Sequence, residues 1–283
     1  MEQLLYIGTL EILFRSEIDI FLQQWDAKFK NPALPVKERV RVDLKFVQEL
    51  PIPKEPLHEA RGMKIWHTEE KEYRLYNVPR GIEPYILSCR QDKKVSVFVR
   101  PEGWGNGYQE FRPWFYMHIE QLLLENRALV LHSASIIYRG QVIAFTAPSG
   151  TGKTTQTDLW HKYRNGVEDL NGDRTLLQWT EKGWFGCGFP VFGSTVRCEQ
   201  AAAPLGAIVI VRQAKEDRVR ELSFMEKVTL LYSEMTVLAM ERENVTRAMD
   251  LIEEIAVQVK IVQLDCTMNE SAVDALHRYL FGE

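Results

Sequence analysis

In this chain of 283 residues, one stretch has the residue types and spacing of a recognisable chemistry: Ala147-Pro148-Ser149-Gly150-Thr151-Gly152-Lys153-Thr154-Thr155. It follows the phosphate-loop pattern, with Ala147 at the first glycine position. Gly150 and Gly152 let the backbone turn where a Cβ would clash, so successive N–H groups of Ser149 to Thr155 point into one concavity. A helix starting near Thr154 would aim its positive end at the same point, which favours an anion. Lys153 supplies a mobile cation for β- and γ-phosphates, and the Thr154 hydroxyl is a hard oxygen ligand for Mg²⁺. The cofactors this chemistry calls for are ATP and Mg²⁺.

The four fixed positions recur by chance in about 2 of 100 chains this long, so the flanking elements carry much of the weight. QVIAFT (141–146) reads as a strand, and TTQTDLWHKYRNG after the loop has helical character up to the stop signal Asn165-Gly166. LVLHSASIIY (129–138) precedes, joined at Arg139-Gly140. If those two residues centre a tight antiparallel hairpin, partners have numbers summing to 279. Tyr138 then faces Gln141, and His132 faces Ala147 at the mouth of the loop. A strand histidine is more often a core or edge residue, and the register is what singles this one out.

Four acids compete to complete the site. AIVIV (207–211) ends in Arg212 and supplies none, whereas KIVQLDC (260–266) carries Asp265 near its end. The better placed acid is Asp173 in VEDLNGDR (167–174), about 20 residues after Lys153 and past one helix. Asn-Gly-Asp is equally ordinary turn chemistry, and Glu168 and Asp169 lie nearby.

Around these residues, 45% apolar and 26% charged composition is that of a folded globular chain, and a net charge of −4 lacks the cationic footprint of a nucleic-acid binder. No uncharged apolar run reaches the ~20 residues of a membrane span. The apolar start carries Glu2, Glu11 and Glu17 and no basic region, so no signal peptide is expected. Cys89, Cys187, Cys198 and Cys266 form no CxxC pair and read as free thiols in a reducing, cytoplasmic setting. RVRVDLKFV (39–47), MKIWHTEEKEYRLYN (63–77), PYILSC (84–89) and KVSVFVR (94–100) predict a β-rich module over residues 1–112, in part a meander. From Pro113 the pattern changes: a helix over PWFYMHIEQLLLENR, then strands alternating with helices near 222–241, 243–258 and 270–281 predict an α/β domain over 113–283.

HSASIIYRGQVIAFTAPSGTGKTT followed by LNGDRTLL resembles the catalytic domain of the HPr kinase/phosphorylase family, within the phosphoenolpyruvate carboxykinase-like superfamily. The likeness spans roughly 113–266, and GFPVFGS (188–194) and APLGAIVIV (203–211) resemble HPr-kinase-related proteins encoded near peptide-modification genes. The resemblance implies a P-loop HPr kinase C-terminal-like α/β catalytic domain behind the β-rich N-terminal module. It also implies that Ser149 to Thr155 hold the nucleotide, that Thr154 and Asp173 bind the metal, and that Lys153, Asp173 and His132 are catalytic. Asp173 would bind metal or take the acceptor proton, with His132 bonding this acid or the transferring phosphoryl group. The family's paired acids are reduced here to one, with Gly172 in the first place. Its long EIRG-type signature and the carboxykinase substrate motifs are missing.

The expectation is therefore an ATP-dependent kinase acting on a hydroxyl of a peptide, protein or small molecule, without nucleic-acid or membrane partners and with homo-oligomer formation left open. A regulatory nucleotide-binding module without transfer and a simple NTP hydrolase are the alternatives. Arg174, Arg197 and Arg212 compete as the γ-phosphate cation, and Phe185, Phe189, Phe192, Ser194 and Thr195 as the acceptor lining.

Overall fold

The computed structural model describes residues 1–20, 26–54, 58–60, 63–76, 85–101, 113–191, 193, 196–236 and 242–282. Within them the chain is mixed α/β, with two eight-stranded sheets and five α-helices. No described helix is long and apolar enough to cross a membrane. Two compact units divide at Leu122/Leu123.

The first unit is one sheet of β1 (Glu2–Ile7), β2 (Leu10–Arg15), β3 (Glu38–Phe46), β4 (His58–Ala60), β5 (Met63–His67), β6 (Glu72–Tyr76), β7 (Ile86–Gln91) and β8 (Lys94–Val99), in the order β1-β2-β3-β8-β7-β6-β5-β4. β4 to β8 form the meander, while β2–β3 and β3–β8 are parallel. Alternation buries Val40, Val42, Leu44, Val95, Val97 and Val99. The unit extends to Leu122 and takes in the aromatic turn Pro113–Tyr116: Trp114 is fully buried and Tyr116 meets Tyr76 edge-to-face at 5.0 Å. The helix predicted from Pro113 is interrupted. His118 takes a left-handed φ of 60°, and only Ile119–Glu125 (α1) is helical, its start held by the His118 carbonyl, which accepts from Gln121 and Leu122.

His118 explains that break, because its ring is fully buried between Ser88 Oγ (2.7 Å from Nε2) and Glu72 Oε1 (3.1 Å from Nδ1). Arg74, also buried, pairs with Glu72 and Glu120. Burial, reinforced by the Arg74 charge, pushes the His118 imidazole down to about 4 against the pull of Glu72. The unfolded chain takes up this proton near 6.5, so between those values it holds more protons than the folded one and stability falls as pH falls. Acidification from pH 7 to 5 should cost the first unit about 2 kcal/mol, read as a denaturant-midpoint shift, and His118→Asn, which tolerates the left-handed backbone, should abolish most of it. An unchanged pH dependence in that variant would contradict this role.

The second unit contains β9 (Ala128–Tyr138), β10 (Gln141–Thr146), α2 (Lys153–Tyr163), β11 (Val167–Asn171), β12 (Arg174–Thr180), β13 (Gly183–Cys187), β14 (Ala202–Gln213), β15 (Arg218–Glu221), α3 (Phe224–Glu234), α4 (Arg242–Gln258), β16 (Lys260–Cys266) and α5 (Glu270–Phe281). β10 pairs antiparallel with β9 and parallel with β14, and the chain of pairings β9-β12-β13-β14 returns to β10, closing a ring. Where β13 crosses under β10, a Cβ on Gly186 would sit 2.6 Å from Val142 Cγ1, so only glycine fits.

Side chains alternate between two cores. Val142 and Ala144 of β10 join Leu131, Ile208, Leu231 and Ile252 under α3 and α4, whereas Ile143 and Phe145 join Val209, Trp160, Val273 and Leu276 under α2 and α5. Burial on both faces is why AIVIV reads as an unbroken apolar run.

Candidate functional site

The β9–β10 hairpin fixes the site's register. Arg139 and Gly140 both take positive φ (50° and 72°), the backbone of a two-residue type I′ turn, and every pair from Tyr138↔Gln141 to Ser133↔Thr146 sums to 279. Thr146 Oγ1 donates to the His132 carbonyl at 2.8 Å, which ties the strand end before the loop to the histidine.

Beyond β10 the loop turns on Gly150 (φ 80°) and Gly152 (φ 115°), conformations that favour glycine although a Cβ would meet open space at the first and only Met268 Cε, 3.9 Å away, at the second. Pro148, Ser149 and Gly150 are exposed, and Thr151, Thr154 and Thr155 are half-buried. Gly152 is the N-cap of α2 and has no side chain to cap that end, which leaves its first backbone donors suited to an external acceptor. Gln213 Nε2, from the end of β14, donates to the Thr151 carbonyl at 3.2 Å and props the loop from the side.

Lys153 is 8% exposed, and its ammonium curls back to donate to the Ala147 carbonyl at 2.7 Å. Burial lowers its pKa, while the negative charges of Glu234 and Asp173 pull it upward and the positive charge of Arg174 pushes it down. Those long-range charges come from the groups around His132. Nε2 of His132 lies 3.5 Å from Asp173 Oδ1, and Nδ1 lies 3.0 Å from Glu234 Oε2.

Asp173 is set by the side chain of Asn171 acting on backbone groups. Asn171, 1% exposed, accepts from the N–H groups of Asp173 (2.9 Å) and Arg174 (2.7 Å) and donates to the carbonyls of Phe189 (2.8 Å) and Val191 (2.9 Å). This is an Asx turn, so the turn chemistry of Asn-Gly-Asp and the presentation of its carboxylate are one feature. Gly193 completes the close packing: a Cβ there would stand 3.3 Å from Asp173 Cβ.

The remaining acids and arginines separate clearly. Asp265 is clasped by Arg212 (2.7 Å) and Gln263 (2.6 Å), and Asp169 pairs with His161 (2.9 Å), while Glu168 is exposed. Arg197 is held by Asp158 (2.7 Å) and Thr157 (3.2 Å). Arg174 instead pairs with Asp173 itself (3.2 Å) and, on its strand, stands directly opposite His132. Phe189 is buried beneath the turn rather than lining an open site, Phe185 is half-buried on β13, and Phe192, Ser194 and Thr195 lie outside the described residues.

Glu234 escaped the reading from sequence. It ends α3, 102 residues from its histidine, and nothing in SEMT distinguishes it from a solvated helix end. Its only signal is spatial.

The oxygen donors present fit Mg²⁺, a cation that keeps several waters and takes one or two protein oxygens plus phosphates: the Thr154 hydroxyl stands in the first turn of α2 and the Asp173 carboxylate is partly exposed. A separate cleft of about 560 Å³ lies on the first unit, where Arg15 pairs with Glu2 and Arg41 with Asp43. Compared with protein-family models and with curated proteins, the sequence matches none.

Proposed function

We propose that the second unit is a phosphotransferase with an HPr kinase-like catalytic fold, moving the γ-phosphoryl of ATP to a hydroxyl on a peptide, protein or small molecule. The observation that carries this reading is the pairing of an uncapped, glycine-turned helix start with a buried Lys153 that feels the charges of Asp173 and Glu234. An anion cradle alone would bind phosphate; a carboxylate and an imidazole at its mouth give a nucleophile something to be aimed by.

The loop amides and Lys153 neutralise the phosphate chain. Asp173, with His132 beside it, orients the acceptor hydroxyl and receives its proton as the oxygen–phosphorus bond forms and the bond to the β-phosphate oxygen breaks, releasing ADP. Mg²⁺, held by Thr154 and Asp173, would supply further charge neutralisation along the phosphates.

Incubation with γ-labelled ATP and cell extract tests the reading. Label in a peptide, protein or metabolite is the expected result. Labelled free phosphate alone would make the protein a hydrolase, and unchanged ATP would make it a binding module; either overturns the proposal.

A further inference from the structure

At the end of α3, one short segment touches two polar side chains of the site, His132 and Arg174. We propose that Glu234–Thr236 is a positioning strap that fixes the tautomer of His132 and holds Arg174 as the second cation of the site. The inference rests on the phosphotransfer reading for its purpose, and its geometry stands independently.

Met235 is extended (φ −80°, ψ 142°), so its neighbours face away from it. Met235 is buried and bridges antiparallel to Leu131, and the Thr236 N–H donates to the Val130 carbonyl at 2.8 Å. The strap is thereby bolted to β9 just before His132. On its other side the Glu234 carboxylate meets His132 Nδ1 at 3.0 Å, and Thr236 Oγ1 accepts from Arg174 Nη1 at 3.1 Å. His132 and Arg174 are cross-strand partners, so the strap holds a matched pair.

A carboxylate accepts and cannot donate, so Glu234 requires a proton on Nδ1 of His132. Nε2, the other ring nitrogen, faces Asp173 Oδ1, 3.5 Å away. A hydroxyl brought beside that pair donates its single proton to one of the two, which orients its oxygen. Arg174, kept beside Asp173 at 3.2 Å, is the arginine whose charge also reaches Lys153, whereas Arg197 and Arg212 are committed to other acids.

Imidazole ¹⁵N spectra of the full chain at pH 8, without nucleotide, read this directly, with His132→Gln identifying the signals. The wild type is expected to carry the His132 proton on Nδ1. Glu234→Leu should lose that signature and move to the Nε2–H form that an unconstrained histidine favours, and Glu234→Gln, whose amide oxygen still accepts, should restore it. An Nε2–H or doubly protonated ring in the wild type, or an Nδ1–H ring surviving in Glu234→Leu, would overturn the proposal. Because no nucleotide is present, either outcome is independent of whether the loop binds ATP.

Discussion

Replacing Lys153 with alanine is expected to weaken Mg·ATP binding by about 10- to 100-fold, the loss of one charge-assisted hydrogen bond to phosphate. Turnover should fall further, by roughly 1,000-fold, because the same cation stabilises charge that develops on the transferring group. The fold should survive. Lys153 is buried with its charged form already disfavoured, and its one strong partner is the Ala147 carbonyl at the loop's own start. Lys153→Met, which keeps the aliphatic stem, separates packing from charge: it should bind and turn over as poorly as the alanine variant. Steady-state turnover of labelled ATP checks this, and near-normal activity in either variant would place the chemistry elsewhere.

Asp173→Asn should leave nucleotide affinity within a few fold and lower transfer by about 100-fold or more, the scale of a lost general base. The substitution is nearly silent structurally. Asn171, rather than the Asp173 side chain, builds the turn, and it does so through backbone groups that the change does not touch. What disappears is a negative charge facing His132 Nε2 and Arg174 Nε. Equal losses in binding and transfer would instead mean that Asp173 acts chiefly on the metal. A larger effect at Glu168 or Asp169 would contradict the choice of acid, though Asp169 is already engaged by His161.

How much of this was legible in the sequence depends on the distance over which each feature is determined. The hairpin at Arg139-Gly140 is local, since two residues at positive φ set the register, and that register brings His132 to the loop. β16 and α5 were equally plain, because a short apolar run and helical spacing are each local signals. The helix predicted from Pro113 failed at His118, where burial of a polar ring against Ser88 and Glu72 outweighed helical spacing. β1 and β2 were hidden in an apolar start whose alternation was weak. β13 was masked by its glycines, of which Gly186 is required where the strand lies against Val142. Glu234 could not be read at all, since its role comes from a bridge between α3's end and β9. Local chemistry wrote the loop; long-range pairing wrote its surroundings.

Calorimetric titration of the intact protein with a non-hydrolysable Mg·ATP analogue tests the central claim most directly. The account predicts saturable one-to-one binding that requires Mg²⁺ and is weakened by Lys153→Ala. Absence of binding heat at millimolar nucleotide across several temperatures, or binding indifferent to Lys153, would contradict it.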